Sequence, residues 1–396
     1  MTRYFSTLII LCLLLASLAP IAAAADDDKP TIAFLRYRAT GTEDIAKPGI
    51  WDVLQAHELI SASERELLDE NLDLNGERIN VYWLDAASDV TNINAMVEKT
   101  LDRGADILLT FSTPVTQITA NITKEMDDPP VLIFAIVSAP YSAGIADSPC
   151  IKMPHVTGSH VTIPYEQYVA LSQVQQPDIQ TIGTIVDPVQ ANSVYGVSQI
   201  TQAAEALGLN VEVASIASAA DLPQATASLA DKGVEMFMIG AGYTESRGIP
   251  AILGVAKDYG IPVFGVSPRM IHHGAMVGAG FDDFYGEGVT VGRMIAAHID
   301  GILDISATAI SSRVSLGVAI NLDTADEFGV TVADSILDSA VMVIEDGELN
   351  ILSAPPSLPE MSLEERKADD AAILAELECT PERIAEEQAA LDAAED

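Results

Sequence analysis

From Thr31 onwards the sequence alternates short apolar runs, rich in β-branched residues, with longer segments of helical period. The apolar runs are continuous, which is typical of parallel strands buried on both faces of a sheet. We predict strands at 31–35, 79–84, 106–111, 131–137, 181–186, 210–216, 235–240 and 262–266. Helices are expected near 50–70, 89–103, 114–126, 164–176, 190–207, 221–232 and 246–259. This order of elements predicts an α/β fold with doubly wound sheets.

The strands fall into two series, separated by residues 153–164, where Pro and Gly bracket a short extended piece. A further strand (275–280) with a helix follows the second series, and one more strand with a short helix comes after it. These late units predict two α/β lobes between which the chain crosses several times. The predicted N-terminal lobe comprises residues 31–155 and 268–308, and the predicted C-terminal lobe comprises residues 156–267 and 309–345.

Residues 1–25 have the plan of a secretory signal peptide, with one Arg, an apolar run, and small residues before an acidic start. The alternative is a permanent membrane anchor. However, the run is shorter than the roughly 20 residues that span a bilayer, and Ser17 and Pro20 interrupt it. We therefore expect a cleaved signal peptide and a periplasmic, soluble product.

The formal net charge of -38 limits the partners that the chain can have. Nucleic acids and anionic lipid surfaces are bound through Lys and Arg, so both are disfavoured. Such a charge favours solubility through self-repulsion. Cys150 and Cys379 are the cysteines that follow the signal segment, which excludes a disulfide framework and leaves one bridge between them as an open alternative.

Residues 355–396 differ in composition from the lobes, with thirteen Asp and Glu against three Lys and Arg. Ser362 and Glu365 form a capping-box pattern, and Thr380–Pro381 offers a second helix start. We predict an acidic, partly helical tail. A solvated or disordered tail is the favoured interpretation, and a docking element for a partner is the alternative.

Ligands of open α/β sheets gather outside the carboxyl ends of the strands. The strand at 106–111 delivers Ser112, Thr113 and Pro114 to that edge. Ser112 or Thr113 can serve as N-cap, and Pro114 suits the first turn of a helix. The unpaired N–H groups of the helix start and two hydroxyls then suit a carboxylate or another polar group. The alternative is that these residues only cap the helix.

Further candidate site residues, most of them polar, are predicted at the same edge of the two sheets. They follow the strands at 131–137, 181–186, 235–240 and 275–280, and include Ser138, Ala139, Tyr141, Asn192, Ser193, Tyr243 and Asp282. Two sheets whose polar strand ends face each other form a cleft between lobes, which ligand binding would close by a hinge.

Motifs of catalysis are missing from the sequence. It contains no G-x-S-x-G, no P-loop Lys and no G-x-G-x-x-G after a strand. His272 and His273 are adjacent, and neighbouring side chains on a helix or strand point apart, so no metal site is expected. We predict neither catalysis nor a cofactor.

Several motifs resemble bacterial ABC-transporter substrate-binding proteins of the periplasmic-binding-protein type I fold, in the branch that includes tryptophan- and tyrosine-binding proteins. The matching pieces are STP (112–114), HVTG (155–158), DPVQANS (187–193), YGIPVFG (259–265), HHGAMVGAGFDDFYGEGVTVGRM (272–294) and AINLDTADEFGV (319–330). The resemblance implies two Rossmann-like lobes, a hinge of three crossings, and a ligand between the lobes that is handed to a membrane permease. Carried over by position, the ligand contacts would be Ser112, Thr113, Asn192, Ser193 and Asp282.

The sequence departs from this family at two loops. Where relatives have an acidic residue, this chain has Ser138-Ala139-Pro140-Tyr141 and Gly240-Ala241-Gly242. A missing carboxylate removes a partner for a ligand ammonium, and an unpaired buried charge is costly. Arg36 and Tyr37, at the end of the first strand, instead indicate a ligand with a carboxylate or other acceptor. The alternative is that Arg36 belongs to a surface charge pair.

The leading functional hypothesis is a monomeric periplasmic solute-binding protein of an ABC importer, with permease subunits as partners and a small polar or carboxylate-bearing ligand, including aromatic amino-acid-like ones. A receptor of the same fold that signals to a membrane sensor kinase is the alternative. An exported α/β enzyme is a third and weaker hypothesis, because no acid–base pair stands at a recognisable spacing.

Overall fold

The computed structural model of the protein describes residues 29–395, and the predicted signal peptide lies outside the described residues. The strands are β1 (Thr31–Arg36), β2 (Leu74–Asn75), β3 (Asn80–Asp85), β4 (Ile107–Phe111), β5 (Val131–Val137), β6 (Val156–Thr162), β7 (Thr181–Val186), β8 (Asn210–Ser215), β9 (Met236–Ile239), β10 (Val263–Gly265), β11 (Val277–Gly280), β12 (Ser311–Val314), β13 (Gly317–Asn321), β14 (Ala340–Glu345) and β15 (Glu348–Ile351). All of the predicted strands are present.

The α-helices are α1 (Glu43–Ala56), α2 (Ala62–Asp69), α3 (Thr91–Asp102), α4 (Thr113–Thr123), α5 (Tyr165–Gln175), α6 (Ala191–Ala206), α7 (Leu222–Asp231), α8 (Tyr243–Arg247), α9 (Ile249–Tyr259), α10 (Phe284–Ile299), α11 (Leu322–Phe328), α12 (Asp334–Leu337), α13 (Leu363–Ala375) and α14 (Pro381–Glu395). Short 3₁₀ turns occupy Ala219–Asp221, Pro268–His273 and Ile305–Ala307. Across residues 29–395, none of the helices combines the length and the apolar character that crossing a bilayer requires.

The helix predicted at 50–70 is two helices. Glu58 adopts a positive φ of 57°, which turns the chain out of α1. Ser61 then starts α2 through a capping box with Glu64. The cap at Ser61 therefore starts a new helix within the segment whose spacing of apolar residues predicted one continuous helix.

The strands form two sheets. The first has seven strands in the order β12-β6-β5-β4-β1-β3-β2, and the second has eight in the order β15-β14-β13-β11-β10-β9-β7-β8. The first sheet is parallel except for β2, and the second is parallel from β8 to β11. The predicted fold class, two α/β lobes of the periplasmic-binding-protein type I fold, is confirmed.

Three strands differ from the predicted lobe boundaries. β6 and β12 were expected in the C-terminal lobe but belong to the first sheet, where β12 pairs with β6 and β6 pairs with β5. β11 was expected in the N-terminal lobe but pairs with β10 and β13 in the second sheet. Apolar composition shows that such a segment is a strand, whereas its sheet depends on which partner edge the fold brings near.

Between β1 and β15 the chain crosses between the lobes three times, after β6, after β11 and after β12. After the second crossing, α10 returns to the first lobe and packs against α1. Glycines permit this close packing, because a Cβ at Gly288 would lie 1.9 Å from the Ala46 carbonyl oxygen and a Cβ at Gly49 would lie 2.3 Å from the Tyr285 carbonyl oxygen.

The acidic tail is helical and mostly exposed, as predicted, but it is ordered and docked on the body rather than disordered. Leu374 of α13 is 4% exposed within the core of the first lobe. Asp370 accepts hydrogen bonds from His57 Nε2 at 2.8 Å and from Arg293 Nε at 2.6 Å. Specific buried partners on the body, which composition does not reveal, hold the tail in place.

A disulfide joins Cys150 to Cys379, whose Cα atoms are 5.5 Å apart. Next to it, Glu387 of α14 accepts hydrogen bonds from the Cys150 N–H at 2.7 Å and from Ser148 Oγ. The segment after β15 thus makes a fourth connection between the lobes, fastened to the first lobe covalently.

Candidate functional site

A cavity of about 380 Å³ lies where the carboxyl ends of the two sheets face each other. This volume is within the range of small-molecule sites. The first lobe contributes Thr40, Gly41, Asp44, Thr113, Ile136 and Ser138. The second lobe contributes Asn192, Tyr243, Arg247, Arg269, His272 and His273. Apolar side chains, including Val161, Val266, Phe281 and Phe284, complete the wall.

The start of α4 forms part of this site. Ser112 occupies the N-cap position with φ 88°, and its side chain makes no capping hydrogen bond. Ser112 and Thr113 are each 2% exposed, and Ser112 Oγ has no hydrogen-bond partner among the described residues. Ser112 is the N-cap residue as predicted, but its side chain does not cap the helix. Thr113 lines the cavity, whereas Ser112 lies behind the lining with its hydroxyl near that of Tyr243.

Asn192, in the first turn of α6, is the corresponding residue of the second lobe. Its Nδ2 donates a hydrogen bond to the Ala241 carbonyl oxygen at 2.7 Å, and its buried Oδ1 has no partner. A ligand N–H or O–H group would satisfy that acceptor.

Ser193 is turned away from the cavity. Its hydroxyl accepts a hydrogen bond from the Asp187 N–H at 2.9 Å and donates one to the buried carboxylate of Glu245. Ser193 therefore organises the loop after β7, and the neighbouring Asn192 is the residue that lines the site.

Tyr243 brings the second lobe against the first. Its backbone N–H donates to Gln190 Oε1 at 3.0 Å, and its ring lies 5.3 Å from that of Tyr37, centroid to centroid. Burial raises the pKa of Tyr243 to about 12, so its hydroxyl stays protonated at neutral pH. The nearby hydroxyl of Ser112 opposes the rise in the pKa of Tyr243. The Ser112 and Tyr243 hydroxyls nevertheless do not meet hydrogen-bond geometry.

Ile136 and Ser138 reach the cavity through an irregularity in β5. Pairing with β6 shifts register between Phe134 and Val137, and Ile136 adopts a positive φ of 54°. The Ile136 N–H, freed from regular pairing, donates to Glu287 Oε1 at 3.3 Å. The Ser159 hydroxyl donates to the other oxygen of Glu287 at 2.7 Å. Burial raises the pKa of Glu287 to about 7.

Four basic side chains line the cavity. Arg247 ends α8, while Arg269, His272 and His273 belong to the 3₁₀ turn after β10. The guanidinium of Arg269 lies against Gly41 of the first lobe, where a Cβ would come within 3.0 Å of its Nε. Arg269 was not among the predicted site residues, although its position just after the carboxyl end of a strand indicates this edge of the sheet.

The other predicted site residues do not line this cavity. Arg36 is held by two carboxylates, with Nη1 2.8 Å from Glu43 Oε1 and Nε 2.7 Å from Asp85 Oδ2. The charge-pair alternative therefore describes Arg36. Tyr37 donates a hydrogen bond from its hydroxyl to the Ser88 carbonyl oxygen at 2.7 Å. Its ring contacts the ring of Tyr243 in the other lobe.

Ala139, Tyr141 and Asp282 lie outside the cavity lining. Ala139 is 2% exposed in the first-lobe core, and the Tyr141 ring packs edge-on against His160. The Asp282 side chain lies against Gly317, where a Cβ would approach its Oδ2 to 2.3 Å. Each follows a strand end as expected, but the direction of the side chain was not readable from position alone.

The chain matches the family of ABC transporter substrate binding proteins over residues 65–344. A tyrosine-binding protein of Clostridioides difficile (strain R20291) is 22% identical over 254 residues, which are 63% of this chain and 70% of that protein. An ABC domain from Streptococcus pneumoniae in complex with L-Trp superposes with a TM-score of 0.69 and 22% identity, covering 80% of this chain and 100% of that one. A conserved domain protein from Vibrio cholerae O1 biovar El Tor gives a TM-score of 0.70 and 21% identity, with the same coverage.

Two α/β lobes joined by three crossings around a ligand-sized cavity define a two-lobed solute-binding protein of the periplasmic-binding-protein type I fold. Because the family match spans more than half of the sequence, the chain belongs to the ABC transporter substrate binding protein family. The resemblance derived from the sequence motifs is confirmed. Members of this family bind solutes and are not a class of enzyme.

Proposed function

We propose that the protein is the periplasmic solute-binding component of an ABC importer, which binds a small polar or carboxylate-bearing molecule between its lobes and delivers it to a membrane permease. The observation that carries the proposal is the cavity of about 380 Å³ to which both lobes contribute polar groups, with Thr113 from one and Asn192 from the other. A site shared between lobes couples ligand binding to closure, and a permease can recognise the closed form.

Polar groups in the site that have no hydrogen-bond partner within the protein support a ligand-binding role. The start of α4 has no side-chain cap, and the buried Asn192 Oδ1 lacks a donor. Buried polar groups are costly when unsatisfied, so a ligand that supplies their partners gains specificity as well as affinity. The similar protein of Clostridioides difficile is a tyrosine-binding protein, and the similar domain of Streptococcus pneumoniae was solved in complex with L-Trp. Amino acids and aromatic acids are therefore suitable probes.

The proposal is tested by a thermal-shift screen of the amino acids, aromatic acids and small carboxylates on the mature protein. A ligand that binds only the folded state raises the melting temperature with its concentration. Asn192→Ala should abolish the shift, whereas Ser198→Ala, an exposed position on the same helix α6, should preserve it. A screen without any concentration-dependent shift would count against the proposal.

The importer role requires its own experiment. Deleting the gene should stop uptake of the radiolabelled ligand by intact cells, and the wild-type gene, but not one carrying Asn192→Ala, should restore it. Undiminished uptake in the deletion strain would contradict the transport role while leaving ligand binding intact.

A further inference from the structure

Arg247 and Arg269 line the cavity without an ion-pair partner among the described residues; Arg247 is exposed and Arg269 is partly buried. Within residues 29–395 no carboxylate oxygen lies within ion-pairing distance of either guanidinium. Asp44 is the acidic residue of the cavity lining, and its carboxylate pairs with Lys47 at 3.1 Å.

This lack of partners contrasts with the rest of the chain, where 58 Asp and Glu face 20 Lys and Arg. Six of the eleven arginines in residues 29–395 pair with a carboxylate, namely Arg36, Arg65, Arg293, Arg313, Arg366 and Arg383. In the same range Arg38, Arg78 and Arg103 also lack an ion pair, but of the five unpaired arginines Arg247 and Arg269 are the two that line the cavity. Arg269 is partly buried, and the loss of hydration lowers its pKa. The charge of Asp44 opposes this shift, but its carboxylate does not reach ion-pairing distance, so an anion that enters the cavity relieves the remaining cost of dehydration.

The neighbouring histidines confirm that the positive charges share one region. The pKa of His272 is lowered by burial and then by the charge of Arg269. The pKa of His273 is lowered by burial and then by Arg247 and His272. Both imidazoles are therefore neutral near pH 7, and the two guanidinium groups supply two positive charges to the cavity.

A second feature of the cavity suits an anion. The start of α4 at Thr113 offers N–H groups without a side-chain cap, and the hydroxyl of Ser112 beside it is buried without a partner. Phe281 and Phe284 supply apolar surface in the same cavity.

We propose that the ligand is a small dianion, a dicarboxylate with an apolar spacer, in which one acidic group binds Arg247 and Arg269 and the other binds the start of α4 at Thr113. This inference rests on the proposed function and specifies its ligand class. An α-amino acid with a neutral side chain supplies one carboxylate and one ammonium, and the ammonium would be repelled by the two guanidinium groups.

The test uses two sets of matched probes that differ at one end. The aliphatic set is adipate, hexanoate and 6-aminohexanoate, and the aromatic set is terephthalate, 4-methylbenzoate and 4-(aminomethyl)benzoate. Affinities are measured by calorimetry at pH 7.5 and constant ionic strength, with thermal shifts as a second readout. In at least one set we expect the dicarboxylate to bind at least tenfold more tightly than the monocarboxylate, and the ammonium compound to bind most weakly.

The arginine variants locate the effect. Arg269→Gln and Arg247→Gln should each reduce the preference for the dicarboxylate about tenfold, while the exposed Arg103→Gln should leave it unchanged. If Arg269→Gln does not fold, Arg269→Lys replaces it in this test, because it keeps the positive charge and removes the guanidinium group. In the absence of ligand, Arg269→Gln should melt at or above the wild-type temperature, because it removes an unpaired cation.

Three outcomes overturn the inference, and a fourth overturns the proposed function with it. Equal responses to dicarboxylate and monocarboxylate in both sets, including none, exclude a dianion site. If Arg247→Gln and Arg269→Gln both keep the wild-type preference for the dicarboxylate, neither arginine binds an acidic group of the ligand. If amino acids or monocarboxylates bind while dicarboxylates do not, the dianion inference fails and the solute-binding function stands. If no compound of either screen binds, the proposed function fails as well.

Discussion

The rings of Tyr37 and Tyr243 meet across the cleft, with centroids 5.3 Å apart and planes inclined by 53°. Tyr37 follows β1 of the first sheet and Tyr243 begins α8 after β9 of the second, so the contact joins the two lobes. Because the residues belong to different lobes, the contact depends on the separation between them.

Tyr37→Ala should therefore shift the lobes toward an open arrangement. Aromatic pairs contribute about 0.5–1.5 kcal/mol beyond burial, so ligand affinity should fall about two- to tenfold. Calorimetry measures the affinity, and small-angle scattering measures the average lobe separation. Tyr259→Ala, at an exposed tyrosine of the second lobe, is the control. Unchanged affinity in Tyr37→Ala would show that this contact does not contribute to closure.

The start of α4 should contribute directly to binding. Replacing Ser112 and Thr113 together by Ala should weaken ligand binding by about 1–3 kcal/mol through lost hydrogen bonds and leave the fold intact. Calorimetry with a ligand found in the thermal-shift screen provides the measurement. Wild-type affinity in the double variant would exclude this helix start as a contact.

Ser112→Gly separates the hydroxyl from the backbone conformation. At φ 88° a Ser is strained and a Gly is not, so this variant should be more stable than Ser112→Ala by about 1 kcal/mol. Both variants should lose the same share of ligand affinity, because both lack the hydroxyl. Thermal melts and calorimetry on the pair check the two expectations, and a Gly variant that binds like wild type would contradict the role of the hydroxyl.

Acidification should strengthen the binding of an anion such as terephthalate. The pKa values of His272 and His273 are lowered by burial and by nearby cations, so both gain positive charge only as the pH falls below their usual range. The carboxylates, with pKa values of about 4, remain ionised in that interval. In wild type, affinity should change little between pH 7.5 and 6.5 and rise as the pH falls from 6.5 to 5.5, and it should change less in a His272→Gln, His273→Gln double variant. Equal pH dependence in the two proteins would contradict this explanation.

Glu287 should make stability pH-dependent. Its folded pKa is raised to about 7, mainly by burial; the hydrogen bonds from Ser159 and Ile136 and the charge of Arg313 oppose the shift, and Asp283 adds to it. Between its unfolded pKa, near 4.5, and about 7, the folded state binds more protons, so the free energy of unfolding falls as the pH rises, by about 3 kcal/mol at most.

Glu287→Gln keeps an acceptor for the Ile136 N–H and removes the titration. The variant should be more stable than wild type at pH 8 and similar at pH 5, which thermal melts at the two pH values would establish. Glu360→Gln, at an exposed position of the tail, is the matched control. A stability difference independent of pH would show that Glu287 does not titrate in this interval.

The disulfide between Cys150 and Cys379 should stabilise the docked tail. It closes a loop with a sequence separation of 229 residues, and losing such a bridge typically costs about 2–5 kcal/mol. Cys150→Ala with Cys379→Ala should reproduce the loss seen on reducing the wild-type protein, while leaving ligand affinity unchanged. If reducing the disulfide leaves the melting temperature unchanged, the contacts of α13 and α14 suffice to hold the tail on the body.

The sequence by itself determined the strands, most helices and the edge at which the site lies. Continuous apolar runs such as 131–137 can be read as buried strands because their hydrophobicity is local, and parallel strands bring their carboxyl ends to one edge. Thr113, Ser138, Asn192 and Tyr243 follow from that rule, and all four line the cavity.

Tertiary structure decided where the remaining side chains point and which lobe receives a late strand. Arg36 binds Glu43 and Asp85 rather than the cavity, and Arg269 reaches the cavity because its turn lies opposite Gly41. The disulfide and the docked tail likewise depend on partners far away in the chain. Periodicity and capping act within a few residues, whereas ion pairs and sheet edges are chosen by neighbours that only the folded chain brings together.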